Sequence, residues 1–187
     1  QWRYPLYIIH LSVKDKDFID EFIRCIKIVY GIKPALYFRK RKDKNPKWSD
    51  IWIAKITRKE IYNDLATYNF RTHNWEIPQE IINSNDEKVI GAFLRGFYDS
   101  EGSVLKGKRS FGIWVFSTNL RGLQGIKSLL KKLNIESSKI GIDKRRRNHI
   151  FYFPISKKDS IVTFLNKVGF SIQRKSSKVK DYLNDKN

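Results

Sequence analysis

The sequence predicts an α+β protein in which one order of elements occurs twice along 187 residues. Three observations carry that reading. Apolar residues switch between the period of strands and the period of helices along the chain. Strand, helix, strand, basic loop, strand, helix is found once in each half. The chain also holds 38 Lys and Arg against 19 Asp and Glu, a formal net charge of +19 that points to a polyanion such as nucleic acid.

The elements follow in order. Leu6 to Ser12 is rich in Ile and Leu and reads as a strand. Phe18, Ile19, Phe22, Ile23, Ile26 and Val29 have helical spacing, which gives a helix from Asp17 to Tyr30 stopped by Gly31. Ala35 to Phe38 is a second strand, running into the basic loop Arg39 to Lys47, and Ile51 to Ile56 is a third. Thr57 with Glu60 has the spacing of a capping box and opens a helix to about Tyr68.

In the second half, Ser84 with Glu87 opens a helix to Tyr98, and Val104 to Arg109 is a short strand. Phe111 to Ser117, Asn119 to Leu133, Lys139 to Ile142 and Ile150 to Ile155 then read as strand, helix, strand and strand. Asp143 to Arg147 is the basic loop, and Ser156 with Asp159 opens another helix. Ile19, Phe22 and Ile26 match Leu123, Ile126 and Leu130 at one constant offset, and Leu36 and Phe38 match Ile140 and Ile142 at the same offset. The expected organisation is a first repeat over 1–70, a linker over 71–83 containing Pro78, and a second repeat over 84–187. The helix and strand at 84–109 have no counterpart in the first repeat. With no methionine in the chain, and Gln1 next to a strand, we expect that counterpart to precede Gln1.

The chemistry concentrates in Val89-Ile90-Gly91-Ala92-Phe93-Leu94-Arg95-Gly96-Phe97-Tyr98-Asp99-Ser100-Glu101-Gly102, an apolar helix ending in two carboxylates before a glycine. Leu94 to Gly102 resembles the signature of the LAGLIDADG homing endonucleases, and Phe93 to Val104 resembles the second motif of a two-motif, intron- or intein-type member. The resemblance covers essentially the whole chain. It implies a duplicated α-β-β-α-β-β-α fold, in which two antiparallel sheets form a DNA-binding saddle with helices behind.

The same resemblance implies the site. Glu101 stands at the metal-ligand position, where a hard cation such as Mg²⁺ (or Mn²⁺, with Ca²⁺ a non-cleaving substitute) would bridge its carboxylate and a scissile phosphate. Asp99 and Gly102 are expected to support the turn, Asp99 by bonding backbone there. Ala92 and Gly96, four apart on one face with Gly91 adjacent, would let a second motif helix approach, flanked by Val89, Phe93 and Phe97. Arg95 stands where the family often has a small residue, which predicts a looser contact or an outward side chain. Lys14 and Lys175 are the candidate basic catalytic residues, at the strand end after the motif and in the loop opening the helix that closes each copy. Thr118, matching Lys14, carries no charge.

One carboxylate site cuts one strand, and the chain has no second Asp/Glu-Gly motif of this kind. The partner acid would come from a motif helix in cis or on another chain, or from a homodimer paired through Ala92 and Gly96.

For the nucleic-acid surface, the ribbons Leu36 to Ile53 and Ile140 to Tyr152 would enter the major groove of double-stranded DNA. Arg39, Lys40, Arg41, Lys42, Lys44 and Lys47, with Lys144, Arg145, Arg146 and Arg147, would contact phosphate. Trp48, Trp52, Trp114 and Tyr152 lie on or beside strands, either packing on a sheet face or touching thymine methyls and sugars. Three scattered histidines, His10, His73 and His149, lack zinc-ligand spacing. No apolar run reaches the roughly 18 residues of a membrane span. A single cysteine, Cys25, read as a small core residue, fits a reducing intracellular setting, the cytoplasm of a prokaryote or archaeon or an organelle. The expected activity is Mg²⁺-dependent hydrolysis of both strands at a long, partly asymmetric target, leaving short 3′ overhangs. The alternative is a LAGLIDADG protein that binds nucleic acid without cutting it, such as an RNA-splicing maturase.

Overall fold

A computed structural model describes residues 7–68, 75–107, 110–145 and 149–185, and the chain divides into two compact units, with the boundary between Tyr68 and Asn69. In the first, β1 (Ile9–Val13), α1 (Lys16–Tyr30), β2 (Ala35–Arg39), β3 (Ile51–Ile56) and α2 (Lys59–Ala66) follow one another. Their sheet is antiparallel in the order β1-β3-β2. Alternation along β3 buries Ala54 and Ile56, and Ile56 packs with Ile26 and Ile61 of the two helices. Gly31, at φ 68°, ends α1 by donating its N–H to Lys27 O (3.0 Å).

The second unit runs α3 (Gln79–Asn83), α4 (Glu87–Ser100), β4 (Gly102–Lys106), β5 (Phe111–Ser117), α5 (Leu120–Lys132), β6 (Gly141–Asp143), β7 (Ile150–Ile155), α6 (Lys158–Lys167) and α7 (Gln173–Asn184). Its antiparallel sheet has the order β4-β5-β7-β6. The inward residues Ile113, Val115, Phe153 and Ile155 pack with Ile90, Leu94 and Tyr98 of α4, and with Leu123, Ile126, Leu130, Ile161 and Phe164. This is the mixed α+β architecture with two antiparallel sheets that the repeat implied. No described helix is long and apolar enough to cross a membrane.

Several boundaries differ from expectation. None of the three expected helix openings, at Thr57, Ser84 and Ser156, caps its helix. α2 starts after Arg58 and α6 after Lys157, neither with a side-chain cap, while Asp86 caps α4 by accepting Lys88 N–H at 2.7 Å. Ser84, expected to cap α4, is extended at the end of α3 and its Oγ accepts Asp86 N–H, so the helix begins two residues later. β1, β4 and β6 are each displaced by about two residues, because pairing register rather than local composition sets their ends. Residues 75–83, expected as linker, pack into the second core. Ile77 is buried, Trp75 covers Gly122, and Trp75 O accepts Asn119 Nδ2–H at 2.6 Å.

The copies differ where α4 matters. Leu129 of α5 and Leu133 just after it are 2% and 0% exposed, whereas Cys25 and Val29, their matches at the repeat offset, are exposed, Val29 at 68%. Cys25 is therefore not the core residue expected; its thiol is pushed up by partial burial and by Glu21.

Candidate active site and nucleic-acid surface

Helical spacing along α4 buries Ile90, Gly91, Leu94, Tyr98 and Asp99 on one face. Gly91 has no room for a side chain, because a Cβ there would collide with the carbonyl of Lys167 at the end of α6. Arg95 closes the same contact by donating Nε–H to Val168 O at 2.6 Å. It thus holds α6, a role with no signature in the motif. Ala92 and Gly96 are exposed, and a Cβ on Gly96 would meet nothing within 4 Å among the described residues. The small residues expected to admit a second helix form an open face, and only Gly91 is used inside the unit.

Asp99 is 3% exposed. Its carboxylate accepts Ser171 N–H at 3.0 and 3.2 Å and Ile172 N–H at 3.4 Å, at the N-terminus of α7. Desolvation raises its pKa, and those N–H groups and Lys175 oppose the shift. Asp99 was expected to bond backbone within its own turn; it bonds backbone 72 residues away, because α7 packs on the end of α4.

Lys175, placed by sequence in a loop, lies in the first turn of α7 and is 5% exposed. Its Nζ donates to Tyr98 O (2.9 Å) and Asp99 O (2.7 Å), carbonyls at the C-terminus of α4. A cation on those carbonyls also meets the negative end of the helix dipole.

Glu101 is the C-cap of α4, its N–H donating to Phe97 O at 2.9 Å. Its side chain is exposed, and among the described residues no donor bonds its carboxylate. Gly102 follows as the first residue of β4, buried, where a Cβ would collide with Tyr98 O and its ring. Glycine is required there by space. Asp99 is thus pulled inward and Glu101 turned outward by the same helix end.

The described residues contain no group of three or more His, Cys, Asp or Glu able to hold a metal by themselves. One exposed carboxylate fits a hard divalent ion that keeps several waters and takes its remaining oxygens from a phosphate.

Lys14 is exposed just after β1 in the first unit. Arg39 and Lys40 are exposed at the end of β2. The loop beyond is ordered by Asp50, whose Oδ1 accepts Arg41 N–H (2.7 Å) and Lys42 N–H (3.0 Å), bonds that hold its carboxyl below the usual range. The Arg41 guanidinium lies over Trp48 at 5.0 Å, while Lys42, Lys44 and Lys47 are exposed. In the second unit Lys144 is exposed and Arg145 pairs with Asp143 at 2.6 Å. Arg146 and Arg147 lie outside the described residues.

Comparison with known proteins agrees with this fold. Residues 88–169 match the model of a LAGLIDADG-like domain. An uncharacterised protein of Methanocaldococcus jannaschii, MJ0398, is 30% identical over 95% of this chain, which spans 63% of that relative's length. Among solved structures, I-DmoI in complex with DNA and Mn shares the fold at a TM-score of 0.59, with 16% identity over 87% of this chain and 80% of its own. The homing endonuclease I-WcaI bound to its DNA recognition sequence does so at 0.61, with 19% identity over 92% and 76%.

Proposed function

We propose that this chain, whose residues 88–169 match a LAGLIDADG-like domain, carries one strand-cutting half of a site-specific, divalent-metal-dependent DNA endonuclease. The observation that carries the reading is the split behaviour of the two motif acids. Asp99 is buried on backbone amides, whereas Glu101, two residues on, presents to solvent a carboxylate that no described residue bonds, in a strongly basic chain. An acid at an exposed turn with no partner among the described residues is available for a cation.

In this reading Glu101 holds a divalent cation, Mg²⁺ or Mn²⁺ in catalysis and Ca²⁺ as a non-cleaving substitute. A bound cation supplies a water of lowered pKa and neutralises charge on the scissile phosphate. Lys175, reaching the last carbonyls of α4 rather than solvent, fixes the turn from which Glu101 projects, and Gly102 permits it. Lys14, at the end of β1, is the candidate second basic group, assigned by the family resemblance alone. The basic positions of the two loops bind phosphate along double-stranded DNA and make the affinity salt-dependent.

A double-strand cut needs a second acid. We assign it to another motif helix, in cis or on another chain, seated on the open Ala92–Gly96 face. The exposed Val29 of α1, where the second repeat buries Leu133, supports a first repeat that also uses such a helix.

The test is cleavage selection from a randomised supercoiled plasmid library with Mg²⁺. Nicked plasmids sharing a long common sequence are expected from the chain alone, and linear ones when a second motif helix is joined to it. Sequence-specific binding with no nicking in either form would overturn the reading in favour of a non-cleaving binder.

A further inference from the structure

We propose that Trp75 is a positioning residue for the cleavage site. The segment from Trp75 to Ser84 is clipped along α5, and its indole braces the last turn of α4, and with it Glu101, through the Phe97 ring. This deepens the endonuclease reading and rests on it for the role of Glu101.

α5 is shaped to hold the segment. Its N-cap, Asn119, uses both ends of one amide: Oδ1 accepts Gly122 N–H at 2.9 Å, and Nδ2–H donates to Trp75 O at 2.6 Å. A Cβ on Gly122 would stand 2.5–2.7 Å from three atoms of the Trp75 ring, and one on Gly125 would stand 2.6 Å from Ile77 Cδ1. At the far end of α5, Lys132 Nζ donates to Ile82 O at 2.6 Å and to Ser84 O at 3.0 Å. Glycine inside a helix costs stability, so two beneath one segment need a return from packing.

α1 is an internal control. At the repeat offset it has Asp15 for Asn119, Phe18 for Gly122, Glu21 for Gly125 and Ile28 for Lys132. It still buries Ile19 and Ile26. The fold therefore requires neither the glycine groove nor its two pins. They belong to the unit that carries the motif.

From its seat on Gly122 the indole reaches Phe97, with ring centroids 5.4 Å apart and planes at 49°. Phe97 lies off the buried stripe of α4, and its carbonyl accepts both Glu101 N–H (2.9 Å) and Ser100 Oγ–H (3.0 Å). α7 grips the carbonyls of Tyr98 and Asp99; Trp75 bears on the residue whose carbonyl takes the Glu101 N–H. The last turn of α4 is thus held from two elements. Without the indole, Phe97 is freer to turn and the last hydrogen bonds of α4 open more often. Glu101 then wanders from its productive position, and small displacements of a reacting group are costly.

The experiment follows amide hydrogen exchange of the 187-residue chain by NMR, residue by residue, without metal or DNA. Trp75→Ala should speed exchange of the Glu101 amide by about 3- to 10-fold, the size of losing a packed aromatic pair, while Ile90 and Leu94 keep native rates. Gly122→Ala, which keeps the indole but pushes it off its seat, should do the same, and Trp75→Phe should retain most of the protection. An unchanged Glu101 amide in both Trp75→Ala and Gly122→Ala would overturn the proposal. So would equal acceleration at Ile90 and Leu94, because Trp75 would then stabilise the whole helix rather than its last turn. On a selected supercoiled target with Mg²⁺, Trp75→Ala should lower the nicking rate at saturating protein by about 10- to 100-fold, with target affinity in Ca²⁺ unchanged. Weakened affinity with an unchanged rate would also overturn it. If the native chain does not nick, the endonuclease reading fails, and the exchange rates separately decide whether Trp75 braces the turn.

Discussion

Asp99 and Lys175 cap each other's helices. The Asp99 carboxylate, at the end of α4, takes the backbone N–H groups of Ser171 and Ile172 that open α7, and Lys175, in the first turn of α7, returns its ammonium to the carbonyls of Tyr98 and Asp99. Two charged groups that would each be costly to bury are both satisfied by helix ends. The turn carrying Glu101 hangs on this exchange.

Removing either partner should loosen both helix ends. Lys175→Met keeps the bulk and strips the cation from two buried carbonyls, and should cost about 2–4 kcal/mol of unfolding free energy. A double-mutant cycle with Asp99→Asn, followed by denaturant unfolding, should show clear non-additivity. Additive losses would mean the two caps are independent.

The pH dependence follows from the upward shift of Asp99, caused first by desolvation. Between the ordinary carboxylate range and the raised value, the folded state holds a proton that the unfolded state has released. Asp99 therefore contributes stability that is present at low pH and lost as pH rises through this window. The stability advantage of the native chain over Asp99→Asn should shrink with rising pH there, as read by urea midpoints across a pH series.

Three glycines of the motif region separate by what lies opposite. Gly91→Ala and Gly102→Ala would drive a Cβ into backbone carbonyls, and should each destabilise by about 1–3 kcal/mol. Gly96→Ala meets open space on a helix and should stabilise the chain by about 0.5–1 kcal/mol. Thermal unfolding of the three variants checks the order. If a second motif helix docks on this face, Gly96→Ala should weaken that docking while the melting temperature rises.

Affinity for duplex DNA should fall steeply with salt. Changing Arg39, Lys40, Lys44 or Lys144 to Ala should each reduce the log–log slope by about 0.9, the share of one neutralised phosphate. A slope unchanged across all four would place the phosphate-binding cations elsewhere.

Much of this was legible in the sequence, for physical reasons. The ends of β3, β5 and β7 were readable because each is an apolar run bounded by polar residues. The duplication was readable because both cores need the same inward residues. Even the burial of Asp99 had a signal, since it lies eight residues after Gly91 and beside Tyr98 on the buried stripe, while Glu101 falls off it. The partners of Asp99 and Lys175 were not readable, because they join residues more than 70 apart through the packing of α7 on α4. Nor was the role of Arg95, whose contact is a carbonyl at the end of another helix. The capping boxes misled because their spacing is common, and the chain direction entering each helix decided the cap.

The most direct test compares the native chain with Glu101→Gln on a supercoiled plasmid carrying a selected target, with Mg²⁺, scoring binding and nicking together. Glutamine preserves shape and removes the charge that would hold the cation. We expect equal target affinity in Ca²⁺ for both proteins, nicking by the native chain, and a loss of at least about 100-fold in nicking rate for the variant, the scale of losing a strong charge-stabilising group. Native-like nicking by Glu101→Gln would contradict the assignment of Glu101 as the metal-holding acid.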